Sequence, residues 1–544
     1  MPMIFTHGVF RGIIEAVRLS ERSHKPPCVM QSSLSNSELN RNPSTCAFIA
    51  MILLATLPAH AADKEALDEH AVIGVNESKA IASHNQHPDA QWYPDAGFGL
   101  FIHWGIHTAG ELNDVSWPMI VGSKWREKRI ADPAERERIV RERDYNKEEH
   151  PLITPNDYWK LAEKFNPSPE TYDPGKWIVA AKEAGFTYAV LVTQHHEGFS
   201  MWPSDADDFN TKKHMGGRDL VKPFVEACRK HGLKVGLYYS PPNWHFDRDY
   251  MNFLYYRVAK QNPEFPELDA DLLPRTKFPS AEEKATHQKA YAAVVRGQVE
   301  ELLTRYGKID LLWFDGRVDD DKKQVAISAD RIRELQPGIV MNPRLHGKGD
   351  FRTYENELKK RDPYSPEWAE FCHDWTYVWA YNPRAKFRDN AFIIGELVMS
   401  RASACNYLLS IGPDKNGELP VEAYANMAVV AQWMKTHGES IRQTKPLPRG
   451  ETVSTYGTAA GNNRYVFHVP AYNKYSWKGP FVSDRAPKQE VTLTLSGSAP
   501  VKAVTLLGDG LPLAYQQDGN RLVITLPVNR QGGLVDVVKV ELTN

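Results

Sequence analysis

The sequence predicts an α/β protein, a (β/α)8-like barrel followed by a C-terminal β-sandwich, and three observations predict it. From about Trp92 onward, short apolar runs alternate with longer amphipathic stretches, the pattern of parallel strands joined by crossover helices. Polar residues able to do chemistry stand at the carboxyl ends of several different runs, which is how a barrel assembles a site. Beyond the helical stretch at 421–441 the texture changes to short strands punctuated by Gly, Pro and Asn, the pattern of a sandwich.

The runs follow one another as GFGLFIHW at 97–104, a helical YWKLAEKF at 158–165, TYAVLVTQHH at 187–196 and LVKPFVEACRKHG at 220–232. After these come VGLYYS at 235–240, the long helical AYAAVVRGQVEELLTRYG at 290–307, IDLLWFDG at 309–316, ISADRIRELQPG at 327–338 and IVMNPR at 339–344. An open doubly wound sheet fits the same alternation. The residues closing the runs favour the barrel: His103, the pair His195 and His196, Tyr238 with Tyr239, Asp315 and Arg344 each end a different one. No G-x-G-x-x-G follows the first strand, which counts against a dinucleotide fold. Charged, Pro-bearing insertions at 147–160 and 245–290 are expected to form surface loops and helices on the rim.

Ahead of the barrel, the apolar run AFIAMILLATL at 47–57 is too short to span a bilayer but suits a secretory signal. Ala59 and Ala61 supply the small residues of a cleavage site, so export to the periplasm or medium is expected. The long polar stretch before the run points to a start at Met30. The expected division is leader and signal at 1–61, a loosely packed segment at 62–90, the catalytic barrel at 91–445 and the sandwich at 446–544. Three cysteines, Cys228, Cys372 and Cys405, follow the cut; their wide spacing makes neither a disulfide framework nor a zinc site. A net charge of -2 leaves no electrostatic footprint for nucleic acid, and no membrane span is expected in the mature chain.

Asp315 is the central candidate. Period-2 geometry puts it on one face with Trp313, toward the barrel mouth, where a carboxylate can attack an anomeric carbon. Locally, an Asp at a strand end is at least as well explained as a helix N-cap. A retaining glycosidase needs a second carboxyl, and Glu355, Glu357 and Glu370 are available, ranked by nothing but position. His195 and His196, adjacent on an extended segment, should face opposite ways, which argues against joint metal chelation. One of them, with His103 and Trp104, can meet sugar hydroxyls and an apolar ring face. Arg344 can bind a carboxylate or hold the neighbours of Asp315.

Taken together and in order, FGLFIHWGIH, YAVLVTQHHEGFSMW, VGLYYSPPNW, IDLLWFDG, GDFRTYE, EFCHDWTYVWAYN and LLSIGPDKNGELP resemble the α-L-fucosidases of glycoside hydrolase family 29 over about residues 90–445. The resemblance implies removal of terminal α-L-fucose from a fucosylated oligosaccharide or glycoconjugate, with retention and with no metal or other cofactor. It implies Asp315 as nucleophile, Glu355 as acid/base, and Glu370 as a rival or site residue. The implied pocket comprises His103, Trp104, His195, His196, Tyr238, Trp313, Arg344 and Trp379. Several positions depart from the family pattern: Gln194 for Lys, Glu197 for Asp, Ala380 for Gly, and Ser410 for Asn. No Glu-Trp-Tyr follows the first motif, and Trp117 or Trp125 fills part of that role. These departures leave a related sugar, such as a galactoside or arabinoside, and a non-catalytic sugar-binding relic as the alternatives.

Overall fold

A computed structural model describes residues 69–75, 83–112, 114–120, 153–261, 263–358, 361–383, 386–469, 490–526 and 534–543. The expected signal, its cleavage site and Trp125 lie outside the described residues. Eight parallel strands form one sheet in the order β5-β4-β3-β2-β1-β8-β7-β6. They are β1 (Phe98–Ile102), β2 (Tyr188–Gln194), β3 (Lys234–Tyr239), β4 (Leu311–Phe314), β5 (Val340–Met341), β6 (Phe351–Glu355), β7 (Trp368–Asp374) and β8 (Asn406–Ile411). The sheet curls into a nearly closed barrel whose seam lies between β5 and β6. Asp350 bridges that seam: its amide donates to the Met341 carbonyl at 2.7 Å, and its carboxylate accepts the Met341 amide at 2.7 Å.

The strands are apolar on both faces because the barrel buries both. Inward parity gives an inner core that includes Phe101, Tyr188, Val190, Tyr238, Leu311, Trp313, Phe351, Cys372 and Leu408. Outward parity gives a larger core under the helices, with Leu100, Ile102, Leu191, Leu237, Leu312 and Leu409. Gly99 shows how tightly the layers meet, since a Cβ there would fall 2.1 Å from the Tyr188 ring.

The crossover helices begin and end where local chemistry dictates. Asp173 caps the helix Pro174–Glu183, with proline in its first turn. Gly232, at φ 73°, ends Val221–His231. Ser280 and Glu283 form a capping box on the 25-residue helix Ala281–Arg305.

C-terminal to the barrel, a six-stranded and a four-stranded antiparallel sheet build the sandwich. Leu447, Val466, Leu493, Val504, Leu522, Ile524, Val538 and Val540 fill the space between them.

One expectation about the segment before the barrel needs correction. The described part of 62–90 packs firmly. Ile73 is buried and its carbonyl accepts the Arg317 amide at 2.9 Å, while the Asn85 amide donates to Asp350 at 2.7 Å. Apolar Ile73 and the Asn85 side-chain amide, which donates to the Pro337 and Ile339 carbonyls, anchor a stretch whose polar composition reads as loose. The helix Pro155–Trp159, at the end of the first insertion, keeps Asn156 and Asp157 toward the surface and buries Tyr158 and Trp159. Its Tyr158 hydroxyl donates to the Val115 carbonyl and its Trp159 indole to the Glu197 carbonyl, bracing two loops of the mouth.

Candidate active site

Residues at or just past the carboxyl ends of the strands bring side chains from most of the barrel to one mouth. His103 follows β1, His195 and His196 follow β2, and Tyr238 closes the inward face of β3. Asp315 follows β4, Arg344 follows β5, and Glu355 ends β6. All of these line one pocket with Trp313 and Trp379. Trp313 forms its floor, stacked on Tyr238 at 5.5 Å between ring centroids, with the Arg344 guanidinium 4.7 Å above it. Trp379 walls the far side, 5.5 Å from the His103 ring. Gly316, at φ 103°, lets the chain turn away directly after Asp315, and a Cβ there would meet the Ile73 carbonyl at 2.5 Å.

Asp315 is not a helix cap. Its Oδ2 accepts the Tyr238 hydroxyl at 2.7 Å and its Oδ1 accepts Arg344 Nη1 at 2.6 Å, with His196 Nε2 3.5 Å away. The next helix, Ala329–Leu335, takes its cap from Ser328. The other arm of the Arg344 guanidinium donates to Glu355, whose carboxylate also lies 3.4 Å from His70 Nε2. One planar fork therefore holds both carboxylates. Burial is the largest single influence on each carboxyl and pushes it up, but the lowering contacts together outweigh it: Arg344 with His196 and Tyr238 at Asp315, and Arg344 with His70 at Glu355. Asp315 ends below the usual carboxylate range and Glu355 well below it.

The expectation that His195 and His196 face apart fails. Strand pairing stops at Gln194, with a register shift after Val192, and His196 already sits in a turn. Alternation ends with the ladder, so both rings, 4.1 Å apart, turn into the pocket. Among the described residues His195, His196 and Asp315 also form a cluster whose donor atoms lie within 4.8 Å of one another. The Arg344 guanidinium on Oδ1 and the Tyr238 hydroxyl on Oδ2 already serve that carboxylate. Burial keeps the pocket imidazoles neutral, with His103 lowered to about 3, His196 to about 4 and His195 well below its ordinary value.

Two other expected site residues lie elsewhere. Trp104 has outward parity, so its ring packs on Tyr172 at 4.9 Å and its indole donates to the Asp414 carbonyl. It belongs to the core under the helices, not to the pocket. Glu370 faces inward but sits too deep. It pairs with Thr353 in the β6–β7 register, whereas Glu355 pairs with Cys372, so Glu370 lies one pleat, about 6–7 Å, below the mouth. There it accepts the Trp313 indole at 2.9 Å and the hydroxyls of Tyr188 at 2.7 Å and Tyr93 at 3.0 Å. Burial pushes its carboxyl up to about 7 against the pull of those bonds. Trp313 stands between it and the pocket.

The pocket also contains residues that sequence reasoning passed over. Glu69, His70 and Ile73 arrive from the segment before the barrel, and Asp114 and Val115 from the loop after β1, beside the expected Trp117. Cys372 lines it from β7. A strand register would have found Cys372; nothing local marks the others.

Comparison with known proteins places this geometry among relatives. The family model for Alpha-L-fucosidase matches residues 70–439. Tissue alpha-L-fucosidase of Bos taurus is 26% identical over 416 residues, covering 73% of this chain and 78% of that protein. Alpha-L-fucosidase of Dictyostelium discoideum is 24% identical, covering 71% of this chain and 79% of its own. The structure of alpha-L-fucosidase isoenzyme 1 from Paenibacillus thiaminolyticus superposes with a TM-score of 0.62 at 26% identity, covering 84% of this chain and 99% of that one. A Bacteroides thetaiotaomicron fucosidase, trapped as a covalent intermediate with 2-fluoro-fucosyl fluoride, shares the fold with a TM-score of 0.63 at 22% identity, over 87% and 100% of the two chains.

Proposed function

The chain belongs to the α-L-fucosidase family and is a glycoside hydrolase, and from that premise we propose that it removes terminal α-L-fucose with net retention, using Asp315 as nucleophile and Glu355 as acid/base. The observation that carries the reading is the shared guanidinium: Arg344 donates to Asp315 and to Glu355 at once. Two carboxyl groups at the ends of one fork are close partners, as double displacement requires; an inverting enzyme separates them by about 6.5–9.5 Å to admit a water.

In the first step ionised Asp315 attacks the anomeric carbon while Glu355 protonates the leaving oxygen. In the second, Glu355 takes a proton from water as the sugar ester is cleaved. The clamp keeps Asp315 ionised, as a nucleophile must be. It also keeps Glu355 ionised in the empty site, so the first step requires the leaving oxygen to take the place of the Arg344 contact, which lets Glu355 regain a proton. His103, His195 and His196 serve the sugar hydroxyls, and Trp313 and Trp379 its apolar faces. The substrate is then a fucosylated oligosaccharide or glycoconjugate. The apolar run at 47–57 supports export to the periplasm or medium.

The test is covalent trapping. Incubation with 2-fluoro-fucosyl fluoride should add one fluorofucosyl group, and peptide mapping should place it on Asp315. Hydrolysis of an aryl α-L-fucoside followed by NMR should show the α-anomer first. Label on another carboxylate, or β-fucose as the first product, would overturn the reading.

A further inference from the structure

A neutral imidazole carries one proton, and which nitrogen holds it decides whether the pocket offers a sugar an acceptor or a donor. Two of the pocket histidines have that choice made by a buried serine. The His103 Nδ1 lies 2.7 Å from Ser410 Oγ, and the Ser410 hydroxyl donates to the Trp379 carbonyl at 2.9 Å. His195 Nδ1 lies 2.6 Å from Ser116 Oγ, which also accepts the Glu197 amide at 2.9 Å and donates to the Glu197 carboxylate. Both serines are fully buried, so no water can complete an unsatisfied set.

The proton count then leaves one arrangement. A carbonyl or an ionised carboxylate cannot donate, so each serine must give its single proton to it. Each serine oxygen must in turn receive the imidazole Nδ1–H. Nε2 is left as a bare lone pair toward the pocket.

We infer that Ser410 and Ser116 are positioning residues that lock His103 and His195 in the Nδ1–H form, so that the pocket presents two Nε2 acceptors which select substrate hydroxyls acting as donors. The inference stops at His196. Its Nδ1 meets Ser240 at 2.6 Å, and Ser240 donates to the Pro242 carbonyl at 2.8 Å, but Asp315 Oδ2 stands 3.5 Å from its Nε2 and competes for the proton. The relay at His195 needs Glu197 ionised. Burial pushes that carboxyl up to about 7, opposed by Ser116 and its own amide, so the relay is read above that value.

The inference rests on the fucoside reading only for the choice of substrate in its kinetic arm. Long-range 1H–15N correlation spectra of the whole enzyme labelled with 15N-histidine, at about pH 8, report each tautomer directly and need no substrate. The expected result is the Nδ1–H form at His103 and His195, changing toward the Nε2–H form that free histidine prefers in Ser410→Ala and Ser116→Ala respectively. The Nε2–H form at both in the unaltered enzyme overturns the inference.

In kinetics, each alanine variant should raise KM for an aryl α-L-fucoside about tenfold, with kcat changed less. That loss should disappear on the one monodeoxy fucoside that lacks the hydroxyl served by the affected histidine. An equal loss on all the monodeoxy analogues would reduce the serines to packing and overturn the proposal.

Discussion

At the barrel mouth Asp315 and Glu355 meet a single guanidinium, whereas one pleat below, Glu370 meets two phenols and an indole. Asp315 and Glu370 are buried and Glu355 is half-buried, and burial drives each upward. At the mouth the guanidinium, together with the histidine and tyrosine contacts beside it, reverses that drive. Neutral donors beneath it only soften the drive, and Glu370 remains near neutrality. Hydrogen bonding alone therefore does not make a buried carboxylate a ready nucleophile; a paired cation does. The interior glutamate instead orients Trp313, the floor on which the sugar would rest.

The widest separation of the two layers should appear in catalysis. Glu355→Ala should lower kcat for an alkyl fucoside by about 10²–10⁴-fold, the range of a lost general acid. Glu370→Gln, which keeps the shape, should cost less than about tenfold. Both are read from initial rates, and equal losses would erase the distinction between mouth and interior.

Removing the cation comes next. Arg344→Met should reduce kcat/KM by about 10²–10³-fold, since it removes the one cation shared by both carboxylates. It should also move both limbs of the pH profile of kcat/KM upward. With the guanidinium gone, the remaining Tyr238, His196 and His70 contacts oppose burial less, and both carboxyl values rise. A profile that falls in height without moving would place the Arg344 effect in packing alone.

The smallest effect is on stability. A carboxyl raised in the folded state contributes stability that is present at low pH and is lost as pH rises toward its folded value. Thermal unfolding of the unaltered protein should therefore include a decline between the ordinary carboxylate range and about 7 that originates at Glu370. Glu370→Gln should flatten that part of the curve by a few degrees, as followed by calorimetry across pH.

Much of the site could be read from the chain because strand parity is local. Phe101 and His103, like Trp313 and Asp315, share a face at a spacing of two, and that rule carries them to the mouth once the strands are recognised. The same rule, applied with care, would have sent Trp104 outward. It fails at His195 and His196 because the ladder ends at Gln194, and a side chain past the last paired residue is aimed by the turn that holds it. It also could not rank Glu355 against Glu370. Both face inward, and only the pairing of Glu355 with Cys372 across β6 and β7 sets their heights.

By itself, then, the sequence determined the alternation of strand and helix, the apolar faces, the family and the place of Asp315 at a strand end facing the mouth, all of which follow from nearest-neighbour geometry and ordered motifs. Tertiary structure alone decided which carboxylate shares a cation with Asp315, and which is shut beneath a tryptophan. It alone brought Ile73 and His70 from outside the barrel onto the mouth. The physical reason is common to these: depth in a barrel and charge pairing depend on the register between strands distant in sequence, and no local pattern encodes that register.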